Sequence, residues 1–264
     1  MCIRDSNYIE ENYTFGNGNY AYRREEGRPM GSFYGYRYKG VYQNKDATYA
    51  RDIEGNVMKD ISGNAIVMRN GSYTVAPGDA IYEDVNHDGV INQYDIVYLG
   101  NSNPRLTGGA GLNVSYKQFK LSAIFYGRYG QDVVNATRLN NESMRGIDNQ
   151  STAVLRRWRN EGDQTDIPRA LYGEGYNTLG SDRFVEDASY LRLKSLSFTY
   201  RLPKKAIQRW GFNNIDVYVT GYNLFTWTNY TGQDPEVKTE NTYAKDTATT
   251  PASIRLVAGF NLSF

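Results

Sequence analysis

Residues 253–264 read SIRLVAGFNLSF. Ile254, Leu256, Ala258, Phe260, Leu262 and Phe264 are apolar, and the residues between them, Ser253, Arg255, Val257, Gly259, Asn261 and Ser263, are mostly polar or small. Strict alternation puts one set on each face of a β-strand. About ten tilted residues suffice for a strand to cross a bilayer. On this parity Leu256, Phe260, Leu262 and Phe264 face lipid, while Arg255, Asn261 and Ser263 face a lumen or its rim. A half-buried edge strand would alternate in the same way, so the rest of the chain must decide.

Upstream, NIDVYVTGYNLFTWTNY (214–230) is a second β-rich run, and SYLRLKSLSFTYRLP (189–203) is a third. In the third, Leu191 and Leu193 share one parity, and Leu196, Phe198, Tyr200 and Leu202 share the other. Either a bulge shifts the face or only the second half meets lipid. RLTGGAGLNVSY and FKLSAIFYGRYG flank Lys117–Gln118 and read as a tight hairpin, each strand alternating. Outer-membrane barrels have short turns on the periplasmic side and long loops outside. With Phe264 at the periplasmic end, the connections 230–252, 130–187 and 43–104 fall outside, and 203–213 and 117–118 fall inside. The long ones and the short ones sort to opposite sides.

Composition permits this reading without demanding it. Tyrosine dominates the aromatics, at 24 residues against 10 Phe and 3 Trp, yet mean hydropathy is −0.65. A disordered tail lacks such aromatics. A membrane barrel turns only alternate residues to lipid, so its average hydropathy is uninformative. The formal charge of +1 gives no argument for nucleic acid. No apolar run is long enough for a membrane-spanning helix. The sole cysteine, Cys2, excludes internal disulfides and cysteine metal clusters.

A second motif is YEDVNHDGVINQYDI (82–96). Asp84, Asn86, Asp88, Gly89, Asn92 and Asp95 stand at positions 1, 3, 5, 6, 9 and 12 of an EF-hand-type loop. Asp84, Asn86 and Asp88 offer side-chain oxygens, Val90 a main-chain carbonyl, Asn92 an oxygen acting through water, and Asp95 a shorter arm than the usual glutamate. Pro77 and Gly78 just upstream exclude a proper entering helix. The expected ligand is calcium, stiffening an external loop rather than sensing. Enzyme chemistry lacks parts: His87 is the only histidine, so zinc sites and Ser-His-Asp arrangements are missing members, and nothing pairs two carboxylates. Tyr116, Tyr129, Tyr200 and Tyr230 suit a headgroup-level girdle. Tyrosines of GSFYGYRYKGVYQ and LYGEGY either pack within their loops or stack on sugar rings. VLRRWRNEGD reads as a short helix that Trp158 packs down.

Six segments in order carry a resemblance: GRPMGSFYGYRYKGVYQ (27–43), PGDAIYEDVNHDGVINQYDIVYLGNSNPRLTGG (77–109), LRRWRNEGDQTDIPRA (155–170), DASYLRLKSLSFTYRLP (187–203), VYVTGYNLFTWTNYTGQDPEV (217–237) and the terminal AGFNLSF. The chain resembles the C-terminal part of TonB-dependent outer-membrane transporters of the SusC/RagA type, found in Bacteroidota. The resemblance implies an all-β fold, the last quarter of a transmembrane barrel of about 22 strands, with the plug domain elsewhere. It implies energised uptake of a glycan or peptide, a SusD-like lipoprotein lid, and the TonB complex reached through an N-terminal part. The expected location is the cell outer membrane. Residues 1–6, MCIRDS, match nothing in the family and are expected to be non-native. A soluble calcium-stiffened β-rich binding or adhesion module is the competing reading.

Overall fold

The computed structural model describes residues 11–12, 20–23, 29, 31–237, 239–240 and 243–264, so MCIRDS and part of the 27–43 segment lie outside the described residues. The chain divides into two compact units.

One unit, Pro104–Gln131, Asp187–Glu236 and Thr249–Phe264, is built on five antiparallel strands. These are β1 (Leu106–Tyr116), β2 (Phe119–Tyr129), β3 (Tyr190–Arg201), β4 (Asn214–Thr228) and β5 (Arg255–Ser263). Each pairs with the next in chain order. Among the described residues β1 and β5 are each paired on one side only. The β1–β2 hairpin closes through Lys117–Gln118, with Lys117 at a φ of 53°. The β3–β4 connection is a short helical turn, Lys204–Ile207 and Gln208–Trp210, stopped by Gly211 at a φ of 75°. Both short connections lie at one end of the sheet; the approach to β1, the β2–β3 connection and the β4–β5 connection lie at the other.

Cross-strand partners share a face, so the register sorts the side chains. Tyr116, Phe119, Tyr200, Val217 and Phe260 stand in one row, and Val114, Leu121, Phe198, Val219 and Ala258 in the next. This face is apolar across all five strands, and Leu256 and Phe260 on it are 72% and 67% exposed. The opposite face is polar. Ser122 bonds Asn113, Ser197 bonds Thr220, Arg201 grips Asp216 with two nitrogens, and Arg255 lies over the Tyr222 ring. Leu256, Phe260 and Leu262 thus lie opposite Arg255, Asn261 and Ser263, as the alternation requires.

The broken parity of the third run resolves into a bulge. Ile124 pairs Ser195 but Phe125 pairs Leu193, leaving Lys194 outside the register. On the other side Leu193 meets Phe225 and Ser195 meets Tyr222, so Lys194 stands against Asn223 and Leu224. Asn223 takes the left-handed conformation, φ 53°, which Asn tolerates better than most residues, and its amide donates to the Ser253 carbonyl. The extra residue restores the face: Leu191 and Leu193 end on the same side as Leu196, Phe198 and Tyr200.

The other unit comprises Met1–Asn103, Asp132–Glu186 and Val237–Ala248. Ser32–Gly35 pairs with Val97–Asn101, so the long connection ahead of β1 begins upstream of residue 43, earlier than expected. The main core cluster of this unit is rich in tyrosine: Tyr36, Tyr42, Tyr82 and Tyr176 are buried with Ala50, Met68, Val75, Ala80 and Ile91. Loop packing therefore accounts for Tyr36, Tyr42 and Tyr176. Of the four girdle residues, Tyr116 and Tyr129 are exposed at strand ends, and Tyr200 rests on Phe119 at 4.9 Å. Tyr230 is a correction: it is buried beyond the end of β4, because the chain at Gly232 turns back against its ring. VLRRWRNEGD is a second correction. Only Thr152–Arg156 is helical, as a 3-10 turn capped at Arg157, after which Asp163 closes a turn by accepting from the Arg159 and Asn160 N–H groups. Trp158 does pack down, over Gly78, where a Cβ would come within 2.3 Å of the indole.

Ala258 and Val257 lie on opposite faces near the middle of β5. Ala258→Arg should cost about 2–4 kcal/mol and Val257→Arg less than about 1 kcal/mol, measured by urea unfolding of the vesicle-inserted transporter carrying this chain. Equal costs would refute the assignment of faces.

Candidate functional site

The six candidate ligands occupy one loop, and the main chain dictates its shape. Gly89, at a φ of 79°, makes the sharp turn, and a Cβ there would come within 2.9 Å of Ala50. Asp84 accepts from the Asp88 and Gly89 N–H groups at 3.2 and 2.8 Å. Asp88 accepts from Val90 N at 2.7 Å and from the Asn86 amide at 2.9 Å. Asn92 donates to the Val90 carbonyl at 3.1 Å and accepts from Tyr94 N at 2.8 Å. Asp84, Asn86, Asp88, Val90 and Asn92 are thereby drawn into one turn. Asp95 is fully buried and caps the short helix Gln93–Asp95, accepting from Val85 N and Asn92 N at 2.8 Å each. Among the described residues no three Asp, Glu, His or Cys side chains form a ready metal cluster. The donors are nonetheless all oxygens, which suits a hard cation. His87 points out of the donor set, its Nδ1 3.3 Å from the Arg51 carbonyl.

Electrostatics fit the same picture. Burial holds the Asp95 carboxyl above the usual carboxylate range; N–H donors from Asn92 and Val85 offset part of this, and the charges of Asp84 and Asp88 add to it. A raised carboxylate value means the ionised group destabilises the fold at neutral pH and is relieved as pH falls towards it. A bound cation would relieve it at neutral pH.

Several contacts hold the loop from behind. Glu83 bonds Arg37 at 3.1 Å and Lys39 at 3.0 Å. Asn70 donates to the Ile91 carbonyl at 2.7 Å. Upstream of it, Ala50, Met58 and Ile66 close a main-chain ring: Ala50 N donates to Ile66 O, Met58 N to Ala50 O, and Ile66 N to Met58 O. The spacing of eight residues reflects a repeat, Asp52-Ile-Glu-Gly-Asn56 and Asp60-Ile-Ser-Gly-Asn64. In each copy the aspartate accepts from two main-chain N–H groups of its own turn. The repeated Asp-Ile-x-Gly-Asn is a signal that period-two and ligand-spacing readings both pass over.

Two charged clusters left no signal in the chain. Asp79, fully buried, accepts from Arg169 at 2.7 Å, Tyr73 at 2.7 Å, Ala76 N at 2.8 Å and Asn177 at 3.3 Å. Arg192 on the polar face of β3, 3% exposed, binds Asp234 and Glu236, and Lys194 also reaches Glu236. This second cluster ties the β4–β5 connection to the sheet. Ion-pair partners separated by 42 to 90 positions cannot be paired from spacing.

No protein-family model matches the chain. It is 34% identical over 82% of its length to TonB-dependent receptor P3 of Formosa agariphila, covering 19% of that receptor. It is 36% identical to TonB-dependent receptor P26 of the same organism over 60% of the chain and 16% of that receptor. The chain thus spans about a fifth of the length of these curated relatives. Among solved structures, the RagAB peptide transporter matches with a TM-score of 0.65 and 22% identity over 93% of this chain and 26% of that one. The RagAB peptide importer in its closed-closed state matches with a TM-score of 0.63 over 97% of the chain.

Removing Asp79 leaves the Arg169 guanidinium facing a buried vacancy, and breaking such pairs costs about 3–5 kcal/mol when burial is complete. Because Arg169 is 32% exposed, Asp79→Ala should fall at or below the lower end, about 2–3 kcal/mol. Hydrogen exchange across residues 73–80 and 167–178 measures it. Unchanged protection would remove the pair from its anchoring role.

Proposed function

Since the chain belongs to the TonB-dependent receptors, we propose that it is of the SusC/RagA type and supplies barrel wall and external loops to a transporter that carries a bulky nutrient, a glycan or peptide, across the bacterial outer membrane. The single observation carrying this reading is the two-faced sheet: five strands, apolar throughout on one side and polar on the other. A hydrocarbon medium accommodates such a continuous apolar face. A soluble adhesion module would leave it in water. The edges of β1 and β5, unpaired among the described residues, then take further strands of the same barrel, because unsatisfied main-chain groups in lipid cost several kcal/mol each. The TonB complex and a SusD-like lipoprotein lid act through the longer protein. No catalytic step is assigned to any residue.

The test is uptake by a host deleted for this gene and by its complemented parent. Fluorescent casein-digest peptides and labelled yeast-glucan oligosaccharides serve as probes. At least one probe should enter only the complemented strain, and a protonophore should abolish its entry. Equal entry into both strains would sink the reading.

We further propose that calcium occupies the 84–95 loop through Asp84, Asn86, Asp88, Val90, Asn92 and Asp95. The ligand spacing, the all-oxygen set and the mutual repulsion of Asp84, Asp88 and Asp95 support this. Asp95 in place of glutamate puts the dissociation constant at about 0.1–1 mM, the range of extracellular modules. Calorimetry should show this binding in the transporter and lose it in an Asp84→Ala, Asp88→Ala variant; identical isotherms would dismiss calcium.

A further inference from the structure

The loop-bearing unit contains a cleft of about 680 Å³ beside the 84–95 loop, within the roughly 300–1,000 Å³ typical of small-ligand sites. Its floor is rigid. Tyr36 and Tyr176 are buried beneath it, Tyr73 stacks on Tyr176 with ring centroids 5.2 Å apart, and Tyr36 N donates to Gly180 O. Gly35 and Gly180 touch so closely that a Cβ on Gly35 would fall 2.4 Å from the Gly180 carbonyl oxygen.

Its rim differs from its floor. Tyr94 lines the cleft and is 68% exposed. The short helix presenting that ring is fixed by Asn92, whose oxygen accepts from Tyr94 N, and by buried Asp95. Around it stand the exposed side chains of Ser72, Gln93 and Glu174, none engaged in a hydrogen bond among the described residues. Among the described residues no lysine, arginine or histidine lines the cleft.

We propose that this cleft binds a neutral saccharide, with Tyr94 as the ring platform and Ser72, Gln93 and Glu174 bonding its hydroxyls. An open phenol ring offers a flat apolar surface to the C–H face of a pyranose while its rim stays wet. Hydroxyl, amide and carboxylate groups supply donors and acceptors to the vicinal hydroxyls. The described lining holds no cationic group, which anionic ligands and peptide carboxylates call for. The site is placed by its own geometry and stands apart from the transport reading, since binding is read without uptake.

The experiment is calorimetry on the detergent-solubilised transporter carrying this chain, with maltotriose, cellotriose, laminaritriose and trialanine as probes. At least one trisaccharide should bind, and Tyr94→Ala should weaken it by about tenfold or more, the loss of one ring contact. Gln93→Ala and Glu174→Gln should each weaken it by about three- to tenfold. Tyr94→Phe, which keeps the ring, should retain binding, and Tyr116→Ala in the membrane sheet should leave it unchanged. Absence of trisaccharide binding overturns the proposal. So does trialanine responding to these substitutions in place of a saccharide, or saccharide affinity indifferent to Tyr94→Ala.

Discussion

The architecture depends on one constraint: the apolar face of the five-stranded sheet has to stay continuous while the main-chain ladder stays hydrogen-bonded. In a strand these demands are coupled, because a slip of one residue turns every side chain to the opposite face. The chain slips at Lys194 and recovers at Asn223–Leu224, so the shift crosses two adjacent ladders without interrupting the face. Asn223 pays for it in backbone conformation and recovers an amide bond to Ser253.

The polar face solves a different problem. Arg192 is almost fully buried, and a lone guanidinium there would be very costly. Asp234 and Glu236 arrive from the β4–β5 connection to meet it, which converts that cost into an anchor for the connection. Burial opposes the ionised Asp234, yet N–H donors from Ala252 and Glu236, with Arg192 beside it, hold its carboxyl below the ordinary range. Charge on this face fixes where the chain leaves the sheet.

In the second unit tyrosine takes the place that aliphatic residues hold in most cores. A ring fills volume while its hydroxyl ties separate segments: Tyr82 bonds the Tyr176 carbonyl, Tyr20 the Ser181 carbonyl and Tyr73 the Asp79 carboxylate. Burial pushes the phenols of Tyr36 and Tyr42 up to about 12. This explains how so aromatic a chain is so polar on average. Many of its rings serve an irregular, hydrogen-bonded loop structure with little regular strand.

The strands and their faces were legible because period-two alternation is local: SIRLVAGFNLSF and the 106–129 hairpin carry their own assignment, and even the parity break in 189–203 marked the bulge. The candidate calcium loop was legible for the same reason, as its donors lie within twelve positions of one another. Tyr230 was misread as a girdle residue because exposure depends on where Gly232 sends the chain. The Asp79–Arg169 and Arg192–Asp234 pairs, and the meeting of Ser72, Tyr94 and Glu174 at one cleft, were settled by tertiary structure alone. Their members come from distant segments, and only the folding of the loops brings complementary charge, or complementary shape, to the same place.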